Sequence, residues 1–245
     1  PNGYIPLLVG KDQQRLAKYY QDSVCDNTYY NIASLNPYFC ELTALYWIWK
    51  NTNDQIKGIV HYRRFFVDDG ISSNNQNPMN LFSVLKWLDS YDCIVPIARP
   101  LLQNVKNDYS RHHIGTDLDM VQEAISKIQP KYLPVFKRCM NEHYIYPYNM
   151  IICRGDVYDA YCSWLFPILF YVFGHVDFRD RDSYQKRAIG FLSERLLKVW
   201  LLSSGYTWCE KLITFSESDI KERISMKLAS IIAKLSASNQ KISEV

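Results

Sequence analysis

Apolar residues at helical spacing alternate along this chain with short, continuous apolar runs. Between residues 40 and 66, apolar side chains first recur at i, i+3, i+4 and i+7, which predicts a helix with one buried face. A polar turn at 51–54 follows, and the apolar run at 56–60 then predicts a strand in which Gly58 lets another backbone approach closely. The residues that define the helical face are Leu42, Leu45, Tyr46 and Trp49.

The same criteria predict helices and strands in alternation over most of the chain, which is typical of an α/β domain with a mainly parallel central sheet. Pro167 is expected to break or kink one of these helices. Residues 1–215 are predicted to form one domain, and an apolar stripe at 216–245 predicts an amphipathic C-terminal helix. The helices are predicted at 81–88, 117–128, 130–141, 156–173 and 184–202, and the further strands at 92–97, 146–153 and 206–215.

Composition removes several classes of function. The net charge of +3 is too small for a strong nucleic-acid footprint, so no nucleic-acid partner is expected. The seven cysteines contain no CxxC pair and are odd in number, which favours neither a zinc site nor a disulfide framework and indicates a cytoplasmic location. No apolar run reaches about 18 residues, so no membrane-spanning helix is expected. Motifs of dinucleotide enzymes, P-loop kinases and serine hydrolases are absent.

The strand at 56–60 ends in His61-Tyr62-Arg63-Arg64. Ligands of open α/β sheets bind outside the carboxyl ends of strands, and planar guanidiniums suit a phosphate or diphosphate. We therefore predict that Arg63 and Arg64 bind an anionic ligand, with His61 as a further hydrogen-bond donor. The alternative is that both arginines pair with acidic residues of the fold.

Two acidic positions are candidates for catalysis. Asp117-Leu118-Asp119 matches the DxD pattern, in which two carboxylates share a divalent ion, although aspartates at a helix start also cap free N–H groups. Glu194 lies on a predicted amphipathic helix and is a candidate general base, with a surface pair to Arg195 as the alternative.

Six segments together resemble a family of bacterial glycosyltransferase domains that are encoded in capsule, O-antigen and exopolysaccharide loci. The resemblance covers residues 4–215, and its most specific parts are ELTALYWIWKN and HYRR in that order. Members of that family usually begin with one more strand, which this chain is expected to lack. The six segments are Asn36-Pro37, 40–51, 61–66, 117–119, 146–153 and 191–197.

The resemblance implies a GT-A-like single domain that moves a sugar, such as a form of galactose, from a UDP-sugar to a lipid-linked or oligosaccharide acceptor. In related transferases a similar helix–turn–strand unit ends in DxD, so HYRR would put cationic side chains in place of the metal. We therefore expect metal-independent chemistry, with manganese or magnesium at Asp117 and Asp119 as the alternative. The implied roles are His61, Arg63, Arg64, Asp26 and Asn27 for the donor, Tyr148, Asn149 and His113 for the acceptor, and Glu194 and then Asp117 for catalysis.

Two other classes of function stay open. One is a non-catalytic glycan-binding module of a polysaccharide assembly complex, and the other is a metal-dependent phosphotransferase or nucleotide hydrolase that uses the DLD carboxylates. The polar stretch at 68–80 is interpreted as a lid or acceptor loop, with disorder as the alternative. Peripheral contact of the C-terminal helix with the inner face of the membrane is a further expectation.

Overall fold

The computed structural model of the protein describes residues 3–20, 22–67 and 77–215. Helices and strands alternate along these residues, as predicted. The strands are β1 (Leu7–Leu8), β2 (Val24–Cys25), β3 (Ile56–Ile59), β4 (Arg64–Phe66), β5 (Cys93–Pro96), β6 (Arg99–Pro100), β7 (Tyr144–Ile145), β8 (Ile151–Arg154), β9 (Trp208–Lys211) and β10 (Ile213–Phe215). The helices are α1 (Gln13–Ala17), α2 (Asn36–Phe39), α3 (Leu42–Asn51), α4 (Leu81–Leu88), α5 (Val105–His112), α6 (Thr116–Ile128), α7 (Leu133–Asn141), α8 (Gly155–His175) and α9 (Ala188–Ser204).

The largest sheet of the described residues has the strand order β3-β8-β5-β9. Strand β8 runs antiparallel to both of its neighbours, whereas β5 and β9 pair in parallel. Three of the four strands therefore run in the same direction, and β8 is the reversed one. The predicted α/β class is confirmed. Most strands of the central sheet point the same way, as predicted. Because β8 lies between β3 and β5, however, two of the three pairs of neighbouring strands are antiparallel.

Gly58 lies in β3 opposite Ile152 of the neighbouring strand β8. A Cβ atom at this position would come within 2.7 Å of the Ile152 side chain and 2.8 Å of the Ile151 carbonyl oxygen. Only glycine fits this approach, which is the close backbone contact predicted for the residue.

Within the described residues, three two-stranded sheets accompany the central one. β1 and β2 pair in parallel, and β6 and β7 pair in antiparallel fashion. β4 pairs antiparallel with β10, which directly follows β9, so the chain beyond HYRR is held beside the last strand of the central sheet. This arrangement fixes both sides of the turn between β3 and β4.

The main hydrophobic core surrounds α8, whose residues pack against α3, α6 and α9. Helix α8 continues through Pro167 as one 21-residue helix, so it is not broken there. Its length and hydropathy are sufficient to cross a membrane, although 56% of the apolar window is buried within the fold. Burial of this kind is typical of a core helix of a domain.

Three element boundaries differ from the prediction. The helix predicted at the start of 40–66 begins at Leu42, and a separate short helix, α2, precedes it, with Cys40 between the two at a left-handed φ of +52°. The strand expected at 146–153 begins only at Ile151. The strand expected at 206–215 is divided at Leu212 into β9 and β10. The C-terminal helix expected at 216–245 and most of the loop expected at 68–80 lie outside the described residues.

Candidate functional site

The carboxyl end of β3 opens into a tight turn. His61 and Arg64 form an antiparallel bridge, and the Arg64 N–H donates to the His61 carbonyl over 3.1 Å. Tyr62 and Arg63 form the tip of the turn and are exposed. The turn therefore presents its cationic tip at the sheet edge where ligands of α/β folds commonly bind.

Tyr148 and Asn149 lie beside this turn, just before the start of β8. Both have left-handed backbone conformations, with φ of +76° and +51°. Such conformations are uncommon for residues other than glycine, and a cluster of them is typical of functional sites. The conformation exposes both polar groups of the Tyr148 backbone to side chains from other elements.

The two ring nitrogens of His61 have different partners. Nε2 lies 2.7 Å from the Tyr148 carbonyl oxygen, which only accepts hydrogen bonds, so Nε2 carries the proton. Nδ1 lies 3.4 Å from an Arg64 guanidinium nitrogen and accepts from it. With both nitrogens engaged, His61 positions the turn, and its predicted role as a donor to the ligand would require one of these bonds to open.

Glu194 extends from α9 to the other side of the Tyr148 backbone. Its Oε1 accepts from the Tyr148 N–H over 2.9 Å, and its Oε2 accepts from Arg195 over 3.1 Å. The Glu194 side chain is 18% exposed, whereas that of Arg195 is 5% exposed. The carboxylate is therefore held in one orientation, yet it remains reachable from solvent.

Arg195 is buried in a further set of interactions. Its guanidinium lies 3.6 Å from an Asp108 oxygen and 5.3 Å from the centre of the Tyr109 ring. One of its nitrogens also donates to the Phe191 carbonyl over 2.9 Å. These contacts immobilise Arg195, which in turn orients Glu194.

Glu41 is a second carboxylate of the same site, and sequence reasoning did not single it out. Its Oε1 accepts from the Asn149 side-chain amide over 2.7 Å and lies 3.9 Å from His61 Nε2. The side chain is 22% exposed. An acidic residue at the start of α3 has the same sequence signal as an ordinary helix-terminal glutamate, so only its position beside HYRR would have pointed to it.

The two arginines of the turn differ in their surroundings. The Arg64 guanidinium lies 4.4 Å from the centre of the Tyr148 ring, which ties it to the site. Arg63 is exposed and lies 4.8 Å from the Tyr62 ring. Among residues 3–20, 22–67 and 77–215, no carboxylate lies within ion-pair distance of Arg63. The alternative in which Arg63 pairs with an acid of the fold therefore has no support in that part of the chain.

The two aspartates of the DLD segment face different surroundings. Both oxygens of Asp117 accept from Arg181 at 2.7 Å, and this pair is almost completely buried. Asp119 is 64% exposed and lies 3.7 Å from Lys106. The carboxylates thus do not share a site, and Asp117 is buried against Arg181, out of reach of a substrate. The arrangement also differs from the helix-capping alternative, because no side chain caps the start of α6 and Asp117 binds Arg181 instead.

Asp26 and Asn27, which directly follow β2, differ in their exposure to solvent. Asp26 is completely buried, where Gln13 and the Thr43 hydroxyl hydrogen-bond to it, while Asn27 is exposed. Burial raises the pKa of the Asp26 carboxyl, although these two hydrogen bonds oppose the shift. Thr43 is two residues from Glu41, so the end of β2 lies next to the start of α3. Contact of Asp26 with a ligand would require its cover to move.

His113 lies on the α9 side of the site. Its ring stacks on Phe191 at 4.3 Å and on Tyr184 at 5.5 Å. Burial first, and then the charges of Arg195 and His112, lower the pKa of His113 to about 4. The imidazole is therefore neutral at physiological pH, and as an acceptor contact it would act through stacking and uncharged hydrogen bonds.

Comparison with known proteins places this arrangement in a family. The model of DUF4422, described as a domain of unknown function, matches residues 1–205. The chain belongs to the DUF4422 family. No curated protein matches the chain.

A solved structure supplies the functional context for this DUF4422 domain. The chain is similar to the apo structure of WbbM, a bifunctional glycosyltransferase, with 25% sequence identity and a TM-score of 0.73. The match covers 80% of this chain and 40% of the WbbM chain, so this DUF4422 domain corresponds to part of that protein. The likeness supports a glycosyltransferase-like family and role for the domain.

Divalent metals bind oxygen ligands that converge on one point. In the described part of the chain, no group of three or more His, Cys, Asp and Glu side chains has the spacing of a metal site. The DLD carboxylates do not fit a divalent ion either, because Arg181 occupies both oxygens of Asp117. What the DUF4422 site does offer is cationic side chains on one side and carboxylates held by hydrogen bonds on the other.

Proposed function

We propose that this DUF4422 domain is a nucleotide-sugar-dependent glycosyltransferase of capsule, O-antigen or exopolysaccharide synthesis. The donor is a UDP-sugar, such as a form of UDP-galactose, and the acceptor is a lipid-linked or oligosaccharide precursor. The observation that carries the proposal is the meeting of the HYRR turn with Glu194 and Glu41 at one sheet edge, in a fold that matches a glycosyltransferase. The enzyme works in the cytoplasm, at the inner face of the membrane where lipid-linked acceptors are reached.

Donor binding is assigned to the turn. Arg63 supplies an exposed guanidinium for the diphosphate, and Arg64, held against Tyr148, supplies a second one. Departure of the nucleoside diphosphate develops negative charge, which fixed guanidiniums neutralise without a metal ion. Asp26 and Asn27 border the donor pocket at the end of β2.

Deprotonation of the acceptor is assigned to Glu194. The acceptor hydroxyl gives its proton to a Glu194 oxygen as its own oxygen attacks the anomeric carbon and the bond to the diphosphate breaks. The Tyr148 N–H and Arg195 keep the carboxylate aimed during this step. Tyr148, Asn149 and the face of His113 line the acceptor side, and Glu41 holds Asn149 in place.

The test is a thermal-shift titration with nucleoside diphosphates and their sugar conjugates, in chelator and in manganese. The wild type is expected to be stabilised by UDP or a UDP-sugar in chelator, because ligands that bind only the folded state raise its stability. Arg63→Ala should keep its own melting temperature yet bind the nucleotide about 10- to 100-fold more weakly and lose turnover. Arg138→Ala, which removes an exposed arginine on α7, is the matched control and should bind like the wild type.

The other outcomes identify the other functions. Stabilisation that requires manganese would contradict the arginine mechanism and support a metal-dependent one. Stabilisation by saccharides without any response to nucleotides would establish a glycan-binding module. Unfolding of Arg63→Ala in the absence of ligand would assign Arg63 to the fold.

A further inference from the structure

A third arginine borders the candidate site from α9. Arg187 directly precedes this helix, and Phe191 and Glu194 follow it at i+4 and i+7, so the three side chains lie on one face. The Arg187 guanidinium carbon lies 5.2 Å from the centre of the Phe191 ring, which is one helical turn before Glu194. Arg187 therefore approaches the site from α9, whereas Arg63 and Arg64 approach it from the HYRR turn.

Contacts between α9 and the start of α3 fix the position of Arg187. A Cβ atom at Gly190 would lie 3.3 Å from Cys40 Sγ, so the two segments approach closely. The Gly190 carbonyl also accepts from the Asn149 side-chain amide over 3.1 Å. Since Gly190 is one helical turn from Arg187, and Cys40 directly precedes Glu41, the arginine occupies a fixed place near Glu41.

The positive charge of Arg187 is not compensated by a neighbouring acid. Its Nε donates to Cys40 Sγ over 3.3 Å, and sulfur is a weak acceptor. Burial raises the pKa of the Cys40 thiol, although the hydrogen bond from Arg187 opposes the shift, so the thiol is neutral at physiological pH. Among the residues that the structure describes, no carboxylate lies within ion-pair distance of Arg187. The exposed guanidinium therefore keeps N–H donors for an anion.

An aromatic surface adjoins the guanidinium. The Arg187 N–H donates to the Tyr184 carbonyl over 3.1 Å across a single turn of 3₁₀ helix, which places the two side chains on the same side of the chain. Tyr184 is 47% exposed, and its ring packs on Phe191 at 5.1 Å and on His113 at 5.5 Å. The exposed ring offers apolar area to a sugar, and the guanidinium beside it offers paired N–H donors to a charged substituent of that sugar.

These positions favour the acceptor over the donor as the ligand of Arg187. Under the proposed function, Arg63 and Arg64 already neutralise the diphosphate, and Glu194 takes the proton of the acceptor hydroxyl. Arg187 precedes Glu194 by about 10 Å along α9, at 1.5 Å per residue, so it meets another part of the acceptor. A neutral sugar gains little from an uncompensated guanidinium, whereas a phosphate or carboxylate binds it through two parallel hydrogen bonds.

We propose that Arg187 binds an anionic group of the acceptor, a phosphate or a carboxylate close to the sugar that carries the reacting hydroxyl. The exposed ring of Tyr184 supports the bound sugar. This assignment rests on the proposed function, and it narrows the acceptor from any glycan precursor to an acidic one. The source of the phosphate is a lipid-linked precursor, and the source of the carboxylate is a sugar acid.

The experiment is a calorimetric titration, without nucleotide, with a methyl hexopyranoside, a methyl hexopyranosiduronate and a short-chain alkyl hexopyranosyl diphosphate. The wild type should bind one of the two anionic probes about 10- to 100-fold more tightly than the neutral one, because a charge-assisted pair with Arg187 is added. The preferred probe identifies the source of the anion. Arg187→Gln should lose the preference, and Arg187→Lys should keep part of it, since lysine retains the charge but not the planar fork.

A matched control and a kinetic measurement separate binding from a role in the fold. Arg179→Gln removes an exposed arginine shortly before α9 that pairs with Asp177, and it should bind all probes like the wild type. Arg187→Gln should keep the melting temperature of the wild type, because only a weak contact with Cys40 is lost. With the preferred anionic probe as acceptor, Arg187→Gln should raise KM for the acceptor about 10- to 100-fold and leave KM for the donor unchanged.

Three results would overturn the proposal. The first is a wild type that binds neither anionic probe more tightly than the neutral one. The second is a preference for the anion that persists in Arg187→Gln. The third is a rise in KM for the donor instead of the acceptor.

The outcome is separable from that of the proposed enzyme. Binding of an anionic sugar that depends on Arg187, without any response to UDP, would keep Arg187 as a binder of acidic glycans and remove the transferase. UDP binding that depends on Arg63, with no contribution of Arg187 to the binding of either anionic probe, would keep the transferase and remove the role of Arg187.

Discussion

Glu194 and Asp117 are both carboxylates paired with an arginine, yet the fold uses them differently. Both oxygens of Asp117 accept hydrogen bonds from the Arg181 guanidinium at 2.7 Å, and the Asp117 side chain is 3% exposed. One oxygen of Glu194 accepts from Arg195 and the other accepts from the Tyr148 backbone N–H, and the Glu194 side chain is 18% exposed. The first arrangement satisfies the acid completely, whereas the second orients it and leaves it open to a substrate.

The difference shows that a letter pattern is a weaker guide to chemistry than the partners of the acid. DLD carries the pattern of a metal-binding motif, but its two side chains meet Arg181 and Lys106, respectively. Glu194 has no motif, but it lies beside the HYRR turn. Three predictions test the comparison, from the largest expected effect to the smallest.

Glu194→Gln should lower kcat by about 10²- to 10⁴-fold, because the amide keeps the hydrogen bond from Tyr148 but cannot take a proton. Single-turnover kinetics with the donor identified by thermal shift would measure it. The melting temperature should fall by less than in Asp117→Asn, because Arg195 keeps Asp108 and the Phe191 carbonyl as partners. Glu123→Gln on the outer face of α6 is the control and should leave turnover unchanged. Normal turnover in Glu194→Gln would exclude Glu194 as the base.

Asp117→Asn should lower the free energy of unfolding by about 3–5 kcal/mol, because Arg181 is left as an unpaired buried charge. Urea denaturation measures this change. Asp119→Asn, in the same motif but exposed, should change stability by no more than about 0.5 kcal/mol. Loss of turnover with unchanged stability in Asp117→Asn would instead support the metal-binding interpretation.

His113 predicts a weaker, pH-dependent effect. Its pKa is lowered to about 4 in the folded protein by burial, Arg195 and His112, and the unfolded chain takes up the proton near 6.5. Between these values the unfolded state binds more protons, so the free energy of unfolding falls as the pH is lowered from about 6.5 to 4. We expect a loss of about 1–2 kcal/mol, since the ring is only partly buried.

The measurement is urea denaturation at pH 7.5 and pH 5 for the wild type and His113→Phe. Phenylalanine keeps the stack on Phe191 and Tyr184 but cannot be protonated, so the variant should lose part of the pH dependence. An identical pH dependence in both proteins would show that His113 is not the group responsible.

Local pattern determined much of this protein from the sequence by itself. Helical periodicity and short apolar runs predicted the α/β class, helix α3 and strand β3 with HYRR at its end, because these depend on neighbours a few residues apart. The need for glycine at position 58 was also predictable, since the close approach of the β8 backbone leaves no room for a Cβ atom. The candidate residues His61, Arg64, Tyr148 and Glu194 were each identified one at a time.

Only the tertiary structure decided how these residues combine, because their partners lie far away in sequence. His61 meets a carbonyl 87 residues away, and Asp117 meets an arginine 64 residues away. The left-handed conformations of Tyr148 and Asn149 and the reversal of β8 likewise depend on packing that no local preference encodes. Contacts between residues distant in sequence therefore decide that Glu194 is accessible while Asp117 is buried in an ion pair, and they place Glu41 in the site.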